Sequence, residues 1–195
     1  NEPASEDNPD DPRYIRITDI SERGQLREDT RRSLDPAKAA PYLLRDNDLL
    51  LARSGATVGK AFRYRNHWGK ACYAGYLIRA RVDSLRLDPA LLQYFTESNP
   101  YWQYVKGTEI QSTIQNVSAE RYANLPVPVP PIEDQPTIAA FLDRETAKID
   151  ALIAKQEQLI ATLQEDRIAT ITHAVTCGLV GSDLAIDSGI PWLGR

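Results

Sequence analysis

Several sets of residues in this chain have types and spacings that could do chemistry. Gly55-Ala56-Thr57-Val58-Gly59-Lys60 resembles a loop that cradles phosphate with backbone N–H groups and a lysine. Its glycines stand one residue too close, however, and Ala61 occupies the place where a Ser or Thr would hold magnesium. Asn99-Pro100-Tyr101-Trp102 is similar to the Asn-Pro-Pro-aromatic motif of amino-methyltransferases, but the second proline is missing and no glycine-rich cofactor loop follows a strand near it. His67 and His173 fall in different parts of the chain, and neither has a Ser or Cys constellation around it. Cys72 and Cys177 are too few for a disulfide framework or a zinc site and read as ordinary thiols. Asn116-Val117-Ser118 fits the glycosylation pattern, yet the acidic start Asn1-Glu2-Pro3-Ala4-Ser5-Glu6-Asp7 is unlike a secretory signal. No catalytic residue, metal site or cofactor follows from these residues, so the expectation is a non-enzymatic protein that acts by binding.

What it binds is suggested by how charge is distributed. The net charge of -4 disfavours a polyanionic partner until it is divided along the chain. Residues 1 to 12 carry five acids and no base, whereas residues 13 to 81 carry twelve Arg and three Lys against seven acids. This basic half is interleaved with Tyr14, Tyr42, Phe62, Tyr64, His67, Trp68, Tyr73 and Tyr76. Cations to attract phosphate and aromatics for base-edge or stacking contacts are what a nucleic-acid surface requires. The cations most concentrated between short strands are Arg53, Lys60, Arg63, Arg65 and Lys70, and these are the expected DNA-binding residues. A solvated, arginine-rich face over core aromatics would give the same composition.

The elements that must position these residues divide the chain in two. With 195 residues and 42% hydrophobic content, there is enough for one domain with a real core plus an extension. The first part reads as mixed α/β. Tyr14 to Ile17 alternates like a strand, Leu49 to Ala52 is a short apolar run suited to a buried strand, and the turn from Ser54 to Lys60 leads to a second strand at Ala61 to Tyr64. Ala71 to Ala80 reads as one further strand. Asp88 and Pro89 mark a helix start, with the helix running until Ser98. A short helix is expected around Trp102 to Val105 and a capped turn at Val117 to Tyr122.

The proline cluster Pro126-Val127-Pro128-Val129-Pro130-Pro131 then opens into one long amphipathic pattern. Ile138, Leu142, Ile149, Leu152, Leu159 and Leu163 keep three- and four-residue spacings, and Ile153, Ile160, Ile168, Ile171 and Val175 widen or continue the stripe. The helix should start close to Pro136, with Glu133 and Asp134 at the positive end of its dipole, and stop at Gly178. Such a coiled-coil-type helix needs a partner for its stripe. The expectation is a second copy, paired through Ile149, Leu152, Ile153, Leu159, Ile160 and Leu163. No uninterrupted run of about 18 apolar residues exists, so no membrane partner is expected and a cytoplasmic location is.

At the junction the sequence resembles the DNA-specificity (S) subunits of type I restriction-modification systems. The residues that carry this are Asn124-Leu125-Pro126-Val127-Pro128-Val129-Pro130-Pro131-Ile132-Glu133-Asp134-Gln135, then Ile138-Ala139-Ala140-Phe141-Leu142-Asp143. Thr146 to Ile153, Thr172 to Leu179, Arg13 to Ile20, Ala52 to Lys60 and Ser112 to Ser118 add to it. The resemblance implies a target-recognition domain over 13 to 130, a spacer and dimerisation helix over 131 to 178 and a linker over 179 to 195 into a further half, while the acidic residues 1 to 12 are expected to form a disordered or loop lead-in. It also implies sequence-specific recognition of one half of a bipartite site in double-stranded DNA, without catalysis, and docking of modification and restriction subunits. A coiled-coil adaptor whose globular head binds protein, or a methyltransferase fragment, are the readings from other classes.

Overall fold

The computed structural model describes residues 7–21, 24–55, 57–107, 116–177 and 189. The expected helix stop at Gly178, the segment beyond it apart from Gly189, and the stretch 108–115 lie outside the described residues. The chain divides into two compact units, Asn1–Leu142 and Asp143–Arg195. The fold is mixed α/β with a long C-terminal helix, as the sequence indicates.

In the first unit the strands are β1 (Arg13–Ile15), β2 (Leu49–Ala52), β3 (Ala61–Arg63), β4 (Ala71–Tyr73) and β5 (Leu77–Ala80), and the helices are α1 (Pro36–Ala39), α2 (Pro89–Glu97), α3 (Asn99–Lys106) and α4 (Ala119–Ala123). The central strand is β2, paired antiparallel with β3 on one side and β5 on the other. All four of its residues are buried because the sheet has a core on each face. Alternation sends Leu49 and Leu51 into one core with Leu92, Tyr101, Val105 and Tyr122, and Leu50 and Ala52 into another with Ile15, Phe62 and Tyr64. A strand buried on both faces reads as a continuous apolar run, which is how it looks in the sequence.

Two strand expectations need correction. The run from Ala71 to Ala80 is not one strand: β4 pairs in parallel with β1, while β5 belongs to the β2 sheet. Gly75 and Tyr76 form a turn between them, closed by the Leu77 N–H donating to the Ala74 carbonyl at 2.9 Å. The first strand also ends at Ile15, because the Asp19 side chain accepts from the Arg16 N–H at 2.8 Å and folds the chain into a short 3-10 turn at Ile17–Asp19. The helix starts agree with the residues that cap them. Asp88 accepts from the Ala90 N–H at 2.7 Å with Pro89 in the first turn of α2, and Ser118 accepts from the Arg121 N–H at 3.2 Å at the start of α4. The second helix is longer than expected, Asn99–Lys106, because Pro100 is tolerated in its first turn.

The proline cluster is not a detached linker. Leu125 and Val127 alternate inward and pack against the core under α2 and α4. Helix α5 (Gln135–Cys177) then begins within the first unit. Its 43 residues correspond to about 65 Å at 1.5 Å per residue. In the second unit α5 is largely exposed, and an exposed ion pair joins Glu145 to Lys148 at 3.0 Å. Hydrogen bonds from Lys148 and then Arg144 hold the Glu145 carboxyl below its ordinary pKa.

Candidate nucleic-acid interface

Much of the basic half turns out to hold the fold together. Arg13, buried in β1, pairs with Glu28 at 2.6 Å; Arg16 pairs with the buried Asp19 at 2.7 Å; Arg31 pairs with Asp7; and Arg81 grips the buried Asp48 through two hydrogen bonds of 2.6 Å. The hydrogen bonds to Asp19 and Asp48 are the main reason the Arg16 and Arg81 guanidinium pKa values lie above their ordinary range. A buried carboxylate with a guanidinium partner is a structural use of arginine, so the excess of positive charge overstates what faces a ligand.

The aromatics need a similar correction. Tyr14, Phe62 and Tyr64 are core residues, and Trp68 stacks on Phe62 with ring centroids 5.1 Å apart. Tyr64 donates its hydroxyl to the Gly69 carbonyl, and burial is the first cause of its raised pKa. Tyr76, on the turn between β4 and β5, is 73% exposed. Tyr73 meets Tyr42 edge-on at 5.8 Å and carries the Arg79 guanidinium 5.6 Å above its ring.

Helices α3 and α4 hold the β2–β3 turn from within. Tyr101 donates to the Gly59 carbonyl at 2.6 Å and Tyr122 to the Ala52 carbonyl at 2.8 Å. Burial pushes both phenol pKa values up. The Val58, Gly59 and Lys60 N–H groups donate to Gly55, Ala52 and Thr57 carbonyls, each at 3.0 Å. These amides are spent on the turn itself, which is the physical reason its likeness to a phosphate-cradling loop fails.

The five expected cations do not form one cluster. Arg53, half-buried, and Lys60, exposed, flank this turn at the C-terminal end of β2. Tyr76 joins them there, its carbonyl accepting from the Arg53 N–H at 3.1 Å, and Asn116 bridges to Ser54. Arg63 lies opposite Leu49 at the other end of β2, roughly 10 Å away over three residues of strand. It ends a strand and shares the face of Leu49, so it is not a loop residue. Arg65 donates to Asn47 at 3.2 Å, and the exposed Lys70 precedes β4. That second end also carries Asp46, which accepts from the Asn66 N–H at 2.8 Å. His67 is exposed beside Trp68, and His173 is exposed on α5 in the second unit. Among the described residues no group of His, Cys, Asp and Glu could hold a metal ion, and no helix is long and apolar enough to cross a membrane.

The expected helix stripe is present and open. Ile149, Leu152, Ile153, Leu159, Ile160 and Leu163 are each between 46% and 60% exposed. Gln135, quoted in the junction motif but given no role there, is wholly buried at the start of α5. Its position beside a proline cluster gave no sign of burial.

Comparison with known proteins places this geometry. The type I restriction modification DNA specificity domain matches residues 6–162. The specificity subunit of the type I restriction enzyme StySPI from Salmonella potsdam is 26% identical over 148 residues, covering 74% of this chain and 32% of that protein. The EcoKI specificity subunit from Escherichia coli is 29% identical over 131 residues, or 66% and 28% of the two chains. The chain thus spans about a third of the length of these curated relatives. Among solved structures, a chain of the type I R-M system, studied for its complex assembly and conformational transition, superposes with a TM-score of 0.69 at 15% identity. It is covered to 45% by 91% of this chain. The HsdS subunit from Thermoanaerobacter tengcongensis gives 0.65 at 15% identity, with 92% of this chain covering 44% of it.

Proposed function

Because the chain belongs to the type I restriction-modification DNA specificity family, we propose that it reads one half of a bipartite site in double-stranded DNA. The first unit is the reader, over about residues 13 to 130, and the helix that follows is the spacer. The observation that carries this is the β2–β3 turn, fixed from within by Tyr101 and Tyr122 while Arg53 and Lys60 flank it and Tyr76 stands beside it. A rigid platform presenting cations to phosphate and one exposed aromatic to a groove separates positioning from readout. Arg63, Arg65 and Lys70 extend the phosphate contacts at the other end of the sheet. Catalysis belongs to modification and restriction subunits that dock on this chain, in the cytoplasm where the DNA is.

The open stripe on α5 needs cover. When this polypeptide is present alone, a second copy supplies it. Each Leu or Ile buried is worth about 1.5 to 3 kcal/mol, roughly half of which remains to be gained at half exposure, so six per chain outweigh all but the upper estimates of about 4 to 15 kcal/mol for association. A closed two-fold pair would read a palindromic site with a fixed gap.

Affinity for duplex DNA as a function of salt tests the reader. Lys60→Glu should weaken binding to every sequence and flatten the salt dependence by about one in the log–log slope, as loss of one phosphate contact requires. Arg65→Glu with Lys70→Glu should do the same from the other end. Binding that is independent of salt would sink the proposal.

A further inference from the structure

Gln135 is the first residue of α5, and its side chain is completely buried. A carboxamide has one acceptor and two donor hydrogens to satisfy, and here all have partners. Its Oε1 accepts the Asp88 N–H at 2.6 Å, while its Nε2 donates to the Pro130 carbonyl at 2.8 Å and to the Arg86 carbonyl at 3.0 Å. Arg86 and Asp88 lie 49 and 47 residues earlier in the chain. Asp88 is also the N-cap of α2. One amide group therefore ties together the end of the proline segment, the start of α2 and the first turn of α5. One turn later Ala139 is buried on the same face.

None of these bonds serves α5 itself. A side chain that only stabilised a helix start would accept from that helix's own N–H groups, as the N-caps Asp88 and Ser118 do. An apolar side chain could fill the same space, but apolar contact is not directional, whereas three hydrogen bonds fix both the position and the rotation of the turn that bears them. We propose that Gln135 is a positioning residue that fixes the first turn of α5 on the reader and so sets the gap between half-sites that the protein accepts. This rests on the reading of α5 as the spacer of a bipartite recogniser.

The test uses the whole chain and duplexes carrying two copies of its half-site, with the gap varied one base pair at a time. The wild type should bind one gap best. Gln135→Leu and Gln135→Met keep the bulk and lose the three bonds. Each should retain the affinity for a single half-site within about twofold, lose about tenfold at the preferred gap, and bind the neighbouring gaps almost as well as the preferred one. Variants that keep the wild-type gap profile, whether or not they bind more weakly or melt earlier, would overturn the positioning role and leave the bipartite reading standing. A wild-type chain that binds paired half-sites with no gap preference would overturn the bipartite reading and the positioning role with it.

Discussion

Replacing Gly59 with alanine challenges the support beneath the β2–β3 turn. Gly59 adopts a φ of +85°, in the left-handed region, and an added Cβ would lie 2.8 Å from the Trp102 ring and 2.9 Å from a Val105 methyl. Gly55, in the same turn, has a φ of +80° but nothing within 4 Å of its Cβ position. Both substitutions carry the backbone cost of a left-handed alanine, about 1 to 2 kcal/mol. Only Gly59→Ala must also displace a packed indole and a buried valine, which on the scale of core overpacking adds about 1 to 3 kcal/mol. Gly59→Ala should therefore destabilise the first unit by roughly 2 to 5 kcal/mol, and exceed Gly55→Ala by the packing part alone. Urea unfolding followed by tryptophan fluorescence measures both. The Gly59 carbonyl accepts from Tyr101, so the same change should move Arg53 and Lys60 and lower DNA affinity. Equal destabilisation by the two alanines would refute the claim that α3 supports the turn.

Burial raises the Cys72 thiol from its ordinary 9 to about 11, so the fold favours the protonated form. Its contribution is complete below pH 9 and declines between pH 9 and 11 as the unfolded chain ionises first, by about 1.4 kcal/mol for each whole step in pH. Cys72→Ala should flatten the alkaline fall in unfolding free energy, and an unchanged slope would assign that fall to the tyrosines. Leu159→Asp with Leu163→Asp should yield monomers by light scattering with the near-ultraviolet dichroism of the first unit intact; a wild-type chain that is itself monomeric at micromolar concentration would remove the second copy as the partner of α5. Leu50→Ala, at the centre of the sheet and fully buried, should cost about 2 to 5 kcal/mol in urea unfolding, and a loss below about 1 kcal/mol would contradict the two-sided core.

What could be read in advance was whatever local chemistry decides. Leu49 to Ala52 is apolar because both faces of β2 are covered, and the Asp88-Pro89 start of α2 announces itself through capping and a fixed φ. The apolar spacing of α5 sets its face whatever lies opposite. One miss was local, the end of β1 where the Asp19 side chain takes the Arg16 N–H, and the others came from long-range partners. Gly75 and Tyr76 break an otherwise strand-like run only because β4 and β5 find different neighbours, β1 and β2. Phe62 and Tyr64 could be surface or core until Trp68 and Leu50 close around them. The arginines were legible as a group but not individually, because their use depends on whether a buried carboxylate such as Asp19 or Asp48 stands within reach. The burial of Gln135 was invisible for the same reason, although the residue stands in the junction motif, since its partners Arg86 and Asp88 are almost fifty residues away.

The most direct measurement is selection of bound molecules from a pool of randomised duplexes at physiological salt, using the whole chain. The expected result is enrichment of one short motif, present twice in inverted orientation with a constant gap, and loss of that enrichment in Tyr76→Ala. Recovery of random sequence after repeated rounds, or no recovery of DNA at all, would contradict the assignment of this unit as a DNA reader.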